Sequence, residues 1–499
     1  MNLATILEGH PDGATALLTR GRSITYGELR DQVAQMRGGL VRAGVERGDR
    51  VAIVAANNRV FVVAYLAILG VGAVAVPLNP GSPSAELRSQ LSAVDVRIAI
   101  VGPSGRDAMA ALGQGSVPVE QVYVAAGVDL PGGRPLDQLL GGEPAPVVDT
   151  ADDDLAVLIF TAGTAGAPRA AMLSHGNLRS NLEQVQAHPS RRITADDVTF
   201  GVLPTFHIFG LNVALDLALF AGSSILLVER FDPASALDSI RDHGVTVVAG
   251  APPMYQAWVA LPEADPAAFS TVRIAVSGAA PLPPAVAAAF EQRFGVPVHE
   301  GYGLTEASPV VTSSVVGQRA RHGSIGVPVP GVEVRLVDAD GEDALAGDEG
   351  EIWVRGPNVF KGYWGDAEAT AAAITPDGWL RTGDVAVVDG DGFLYIVDRV
   401  KDLIIVSGFN VYPAEVEEVL RDHPGIDDVA VVGMPHPHSG ETVKAFVVQK
   451  PGFHLEEDQV IEFCAGRLAR YKCPTKVTFV DELPVSNAGK LLRRELRAS

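Results

Sequence analysis

Between Leu158 and Leu173 the chain reads LIFTAGTAGAPRAAML: two apolar runs separated by a glycine- and threonine-rich step that ends in an arginine. Glycines at Gly163 and Gly166 give the backbone freedom and let main-chain N–H groups approach a ligand closely. The hydroxyls of Thr161 and Thr164 and the guanidinium of Arg169 add further donors, a set that suits phosphate oxygens. The stretch lacks the G-x-x-x-x-G-K followed by Ser or Thr that leads straight into a helix, which disfavours a P-loop NTPase. Taken alone, it is as compatible with an ordinary surface loop as with a phosphate cradle.

The flanking pattern predicts strand, loop, strand and then a helix from about Ser174, in SHGNLRSNLEQV. Elsewhere short runs rich in valine and isoleucine alternate with longer amphipathic stretches, as in RVAIVAA before VFVVAYLAILG and SSILLVER before PASALDSIRDHG. That alternation predicts an α/β protein with largely parallel sheets. From Gly331 the texture changes to brief strands and tight turns (GVEVRLVDADG, GEIWVRG, DGDGFLYIVD), read as a small β-rich subdomain over about 331–398. A break near Lys401 leaves about a hundred residues as a compact C-terminal domain. The expected architecture is a large N-terminal domain over 1–398, a hinge at 399–401 and a smaller, mobile α+β domain over 402–499.

At 499 residues the chain is too long for one ordinary core. A formal net charge of −21 argues against non-specific binding to nucleic acid or an anionic membrane, so an anionic ligand must be held by a local cluster. The only cysteines, Cys464 and Cys473, match no zinc or oxidoreductase spacing and are expected to be reduced and structural. The longest uncharged run, Phe61 to Val76, contains Gly70 and Gly72 and falls short of the roughly 20 apolar residues of a membrane helix. It reads as a buried helix followed by a strand. No basic, apolar leader opens the sequence, and the expectation is a cytoplasmic protein without an integral membrane segment.

Further motifs follow the glycine-rich loop: PTFHIFG from Pro204, SGAAPL from Ser277, EGYGLTEASP from Glu300, GWLRTGD from Gly378, DRVKDLIIVSGFNVYPAEVE from Asp398 and NAGKLLRREL from Asn487. In this order, and over essentially the whole chain, the sequence resembles the adenylate-forming superfamily of acyl-CoA synthetases, adenylation domains and beetle luciferases, whose phosphate loop reads S-G-T-T-G-x-P-K-G. The resemblance implies two half-reactions. A carboxylate attacks the α-phosphorus of ATP to give an acyl adenylate and pyrophosphate, and the thiolate of coenzyme A then displaces AMP. Bringing anions together calls for positioning and charge neutralisation, not covalent participation by the protein.

By resemblance, Thr161, Ala162, Gly163, Thr164, Ala165 and Gly166 with Arg169 clasp the β- and γ-phosphates. Thr305 bonds the α-phosphate, and Glu306 ligates Mg²⁺, a hard cation suited to carboxylate and phosphate oxygen. Asp384 accepts from both ribose hydroxyls and Arg399 reinforces the sugar. Glu300, Gly301, Tyr302, Gly303 and Leu304 hold the adenine against the turn Gly278, Ala279, Ala280, Pro281. Lys490 is the mobile lysine that bridges carboxylate and α-phosphate, a compact ammonium meeting charge that appears only as the bond forms. Lys401 lies at the hinge; Ser407, Gly408, Phe409 and Asn410 line the pantetheine tunnel after rotation. His207 stands at the mouth of the acyl pocket, whose walls are Ile208, Phe209, Val213, Pro309 and Val310. Without an arginine or lysine among these, a malonate-type acid is disfavoured and a monocarboxylic acid with an apolar tail fits best.

Departures from the family pattern are Ala162 for serine, Ala165 for threonine, Arg169 for lysine and Ala170 for glycine, together with His436 where an aspartate is common. Two hydroxyl ligands are thereby lost, at about 0.5–1.5 kcal/mol each. The expected function is a fatty acyl-CoA ligase. Alternatives are an aryl-CoA ligase, an acyl-AMP ligase loading a separate carrier protein, and a weakly catalytic nucleotide-binding protein. Chain length and oligomeric state are left open.

Overall fold

The computed structural model describes residues 1–499 apart from 20, 114–116, 163–167, 188–191, 281, 316–320, 339–340, 346, 400–403, 412, 485–492 and 498–499. The alternating pattern folds, as expected, into largely parallel sheets with helical crossovers. A seven-stranded sheet runs in the spatial order Arg134–Pro135, Gln121–Val124, Ile98–Val101, Arg50–Val54, Val74–Leu78, Leu155–Ala162, Pro168–Ser174. All its pairings are parallel except the last. A nine-stranded sheet is parallel through its centre, where Thr15–Thr19, Ser224–Leu227, Val198–Gly201, Val247–Gly250, Ile274–Ser277 and Val298–Gly303 lie side by side. Antiparallel strands close both of its edges.

The uncharged run from Phe61 becomes the helix Arg59–Gly70, capped by the Asn58 side chain, with every residue from Phe61 to Gly70 buried. It leads into the strand Val74–Leu78 between two neighbours of the seven-stranded sheet, which explains why neither element needs a polar face. Among the described residues no helix is long and apolar enough to cross a membrane.

From Gly331 onward the chain builds a four-stranded antiparallel sheet, Glu333–Val337, Gly350–Arg355, Leu380–Val388 and Leu394–Arg399, with the helix Ala367–Ala373 between its second and third strands. Its last strand ends just before 400–403, so the pivot expected at Lys401 lies outside the described residues. From Ile404 five strands form a further sheet over a core of their own that includes Val416, Val431, Val447 and Cys464. Cys464 and Cys473 are both free thiols and buried.

This C-terminal part docks on the rest through a buried charge cluster. Lys472 Nζ donates to Glu86 Oε1 at 2.9 Å and to Glu415 Oε1 at 2.8 Å, and the Ala469 N–H donates to Glu86 Oε2 at 3.0 Å. Glu86 belongs to the helix Ser84–Ala93, whereas Glu415 and Lys472 belong to the C-terminal part, and all three side chains are at most 5% exposed.

Candidate active site

The glycine-rich stretch is the connection between Leu155–Ala162 and Pro168–Ser174, paired antiparallel with Thr161 opposite Arg169. Gly163, Thr164, Ala165 and Gly166 lie outside the described residues, as does the side chain of Ala162. Ser174 then caps the helix His175–Gln186, its side chain and that of Asn177 exchanging hydrogen bonds with each other's backbone, which fixes the direction in which the chain leaves the loop. Thr161 and Arg169 thus stand at the two feet of the loop. Arg169 Nε donates to Asp366 Oδ2 at 3.0 Å, and its guanidinium lies over the Tyr363 ring, 5.6 Å from the centroid.

The strand Val298–Gly303 supplies the next group. Glu300, expected among the nucleotide contacts, accepts from the N–H groups of Leu282 at 3.2 Å and Gly323 at 3.0 Å, one to each carboxylate oxygen. Burial nevertheless raises its pKa. It braces the turn after Ser277 against the segment beyond the strand. Gly301, Tyr302, Gly303 and Leu304 face the cavity, and the chain then tightens into a single 3₁₀ turn, Thr305–Ala307. Glu306 Oε1 accepts from the Tyr363 hydroxyl at 2.7 Å, and Oε2 has no partner among the described residues.

Asp384 lies on the strand Leu380–Val388 with Arg399 directly opposite in register, so the two residues expected at the ribose are cross-strand neighbours. The Arg399 side chain is outside the described set. Tyr302 Oη donates to Asp384 Oδ2 at 2.7 Å. The turn that presents Asp384 is itself held. Glu351 Oε1 accepts from the Gly383 N–H at 2.8 Å, and Thr382 Oγ1 donates to the Ile352 carbonyl at 2.7 Å while accepting from the Asp384 N–H at 3.1 Å.

These groups share one cavity of about 1020 Å³ with the expected acyl residues His207, Ile208, Phe209, Val213, Pro309 and Val310, and with Gly278, Ala279 and Ala280. Pro281 is not among the described residues. Phe209 and Val213 come from a π-helical segment, Phe209–Asp216, and Leu217, Val247, Ala249, Ile274 and Val276 complete the apolar end. At Gly278 a Cβ would stand 3.0 Å from the Phe209 ring, so glycine leaves the width of this neck to the phenylalanine. Burial pushes the His207 pKa down to about 4, which leaves the imidazole neutral at pH 7. Its Nδ1 accepts from the Phe209 N–H at 3.3 Å, placing the proton of the neutral ring on Nε2.

The C-terminal part reaches the same place. Gly408 lines the cavity with φ +84°, and a Cβ there would come within 3.3 Å of the Ala251 Cβ. Phe409 packs edge-on to His207, with ring centroids 6.2 Å apart, and stacks on Tyr471 at 4.5 Å. Ser407 is exposed beside them at φ +52°. The Asn410 side chain, Lys401 and Lys490 lie outside the described residues. Sequence reasoning missed Tyr363 and Asp366, which touch Glu306 and Arg169 directly, and Glu351, which holds the turn before Asp384. Only the aromatic pair in KGYWGD, next to a glycine, hints at Tyr363 and Asp366.

The chain belongs to the AMP-binding enzyme family: residues 3–364 match that family and residues 415–490 match its C-terminal domain. It is 39% identical over 488 residues to a feruloyl-CoA synthase of an Amycolatopsis species, covering 97% of this chain and 95% of the relative. It is 35% identical over 512 residues to a long-chain-fatty-acid–CoA ligase of Bacillus subtilis (strain 168), covering 97% and 91%. Among solved structures, the amide bond synthetase of Marinactinospora thermotolerans superimposes with a TM-score of 0.89 at 31% identity, covering 100% of this chain and 99% of the other. The protein is accordingly an adenylate-forming enzyme, an AMP-forming acid–CoA ligase that uses ATP and coenzyme A.

Proposed function

We propose that the enzyme activates a monocarboxylic acid with an apolar tail, a fatty acid in the first instance, as acyl-AMP and transfers the acyl group to CoA with release of AMP and pyrophosphate. The observation that carries this reading is the continuity of a single cavity from Arg169, Glu306 and Asp384, past His207, to a wall of Phe209, Val213, Leu217, Ile274 and Val276. Among the described residues its only cations are Arg169 and Arg381, so a second carboxylate at the apolar end would be buried without a partner.

In the first step an oxygen of the substrate carboxylate bonds to the α-phosphorus as the bond to pyrophosphate breaks. Neutral His207 offers Nε2–H to that carboxylate without adding charge. Arg169 takes the distal phosphates, Thr305 the α-phosphate, and Asp384 with Arg399 the ribose; Lys490 neutralises charge as the new bond forms. No group of three or more His, Cys, Asp or Glu that could hold a metal is present among the described residues. A single carboxylate with one unpartnered oxygen is what Mg²⁺ bound mainly through phosphates requires, and Glu306 fits it. When bound, Mg²⁺ supplies charge neutralisation at the phosphates. In the second step the CoA thiolate attacks the acyl carbonyl carbon and AMP leaves. The docked position of Ser407, Gly408 and Phe409 beside His207 suits that step, and a pivot within 399–401 exchanges it for one that brings in Lys490.

A second reading, transfer of the acyl group to an amine, draws on the likeness to an amide bond synthetase. The test is ATP-dependent AMP release over a panel of fatty and aryl acids, with and without CoA. Thioester from apolar monocarboxylic acids is the expected result. Acyl adenylate and pyrophosphate that form without thioester, with AMP released only when an amine is supplied, favour the second reading, and preference for dicarboxylic acids overturns the acyl-pocket assignment.

A further inference from the structure

The segment Phe360–Trp364 lies as a strap between the strand after the glycine-rich loop and the turn that carries Glu306. The Phe360 N–H donates to the Glu306 carbonyl at 2.9 Å. Lys361 N–H and Met172 N–H bond across to the Met172 and Gly362 carbonyls at 2.9 Å each, and the Trp364 N–H reaches the Ala170 carbonyl at 2.8 Å. Tyr363 is therefore fixed through its backbone on both sides. Its ring packs edge-on against Phe360, with centroids 4.9 Å apart, and it lines the cavity. From there the hydroxyl reaches Glu306 Oε1 at 2.7 Å and the ring face carries the Arg169 guanidinium.

We propose that Tyr363 is the positioning residue of the polyphosphate end of the site: its hydroxyl sets the carboxylate of Glu306 and its ring sets the guanidinium of Arg169. The proposal rests on the reading of Glu306 as the Mg²⁺ ligand and of Arg169 as a phosphate ligand. A glutamate beside an open cavity samples several rotamers, and ordering it on ligand binding costs free energy. A donor held by packing on one carboxylate oxygen removes that freedom in advance and leaves the other oxygen for the cation. The aromatic face attracts the guanidinium in the same way, and the ion pair with Asp366 fixes its rotation. One side chain thus ties together a group on the strand Pro168–Ser174 and one on the 3₁₀ turn Thr305–Ala307.

The test is binding, not turnover: titration of a fluorescent ATP analogue at a series of Mg²⁺ concentrations, with AMP as the ligand that lacks the β- and γ-phosphates. Tyr363→Phe keeps the ring on Phe360 and under Arg169. It is expected to raise the Mg²⁺ concentration for half-maximal binding about 3- to 10-fold, the worth of one hydrogen bond, with Mg²⁺-free binding unchanged. Tyr363→Leu is expected to weaken Mg²⁺-free ATP binding as well, because the seat of Arg169 is lost, and both variants are expected to bind AMP like wild type. Glu306→Gln is the control. If it shifts the Mg²⁺ dependence and Tyr363→Phe does not, the positioning role is overturned. If Glu306→Gln shifts nothing, the reading of Glu306 itself falls. Equal losses for ATP and AMP in Tyr363→Phe overturn the proposal by showing a purely structural residue.

Discussion

The Tyr302 hydroxyl donates to Asp384 Oδ2 at 2.7 Å, joining the strand Val298–Gly303 to the antiparallel sheet at the point where the cavity opens between them. One oxygen of a carboxylate expected to meet the ribose is thereby oriented before any nucleotide arrives. Tyr302→Phe should raise the KM for ATP about 3- to 10-fold with little change in kcat, as loss of one such bond implies. Asp384→Asn should in addition narrow the preference for ATP over 2′-deoxy-ATP. Unchanged discrimination between the two nucleotides in Asp384→Asn would place the ribose elsewhere.

Lys490→Ala should lose adenylation by orders of magnitude yet turn preformed acyl adenylate and CoA into thioester nearly as fast as wild type. The division follows from assigning the lysine to charge that develops only at the α-phosphorus. Single-turnover measurement of each half-reaction separates the two, and equal damage to both refutes the assignment.

Asp216 ends the π-helical segment that contributes Phe209 and Val213 to the apolar wall of the cavity, and is fully buried, with Oδ2 accepting from Tyr65 Oη at 2.8 Å and Oδ1 without a partner. Burial pushes its pKa up to about 8. The unfolded chain ionises this group near pH 4 and the folded chain does not. The stability that the neutral carboxyl contributes is therefore full at low pH and is lost as pH rises from about 4 to 8. Asp216→Asn keeps an acceptor for Tyr65 and should flatten that part of the profile. The Tm of wild type minus that of the variant should become more negative between pH 5 and pH 8. A difference independent of pH would show that the carboxyl does not titrate there.

Glu86→Gln removes the negative charge that Lys472 meets across the docking surface while keeping an oxygen for the Ala469 N–H. It should slow thioester formation from preformed acyl adenylate about tenfold or more and leave pyrophosphate exchange near the wild-type rate, because loss of one partner weakens only the docked arrangement. Pyrophosphate exchange falling in step with thioester formation would show that the cluster merely stabilises the fold.

The parts of the site that were legible in the sequence are those where chemistry is written contiguously. The turn at Thr305 and Glu306 and the turn at Asp384, both of which line the cavity, each need their residues within one short stretch, because backbone geometry sets them, whereas residues 163–167 of the glycine-rich stretch lie outside the described residues. The braces were not legible. Tyr363 meets Glu306 from 57 residues away and Asp366 meets Arg169 from 197 away, across a strap whose pairing depends on the tertiary arrangement and leaves no periodic signal. Glu351 was overlooked because a carboxylate on an antiparallel strand reads as a solvated face, although here it accepts from Trp353 Nε1 and from the Gly383 N–H. The sheets were easier. An apolar run such as Val51–Val54, three of its four residues β-branched, must be buried on both faces wherever it pairs, so burial and local preference agree.

The cluster of Lys472, Glu86 and Glu415 places two carboxylates against one ammonium, all withdrawn from water, across a surface that the proposed alternation must part and rejoin. An apolar patch of the same size would have been sticky and indifferent to angle. A dehydrated ion cluster is the opposite: its desolvation nearly offsets its attraction, while its hydrogen bonds tolerate little misalignment. The cluster therefore contributes registration to the joint more than adhesion.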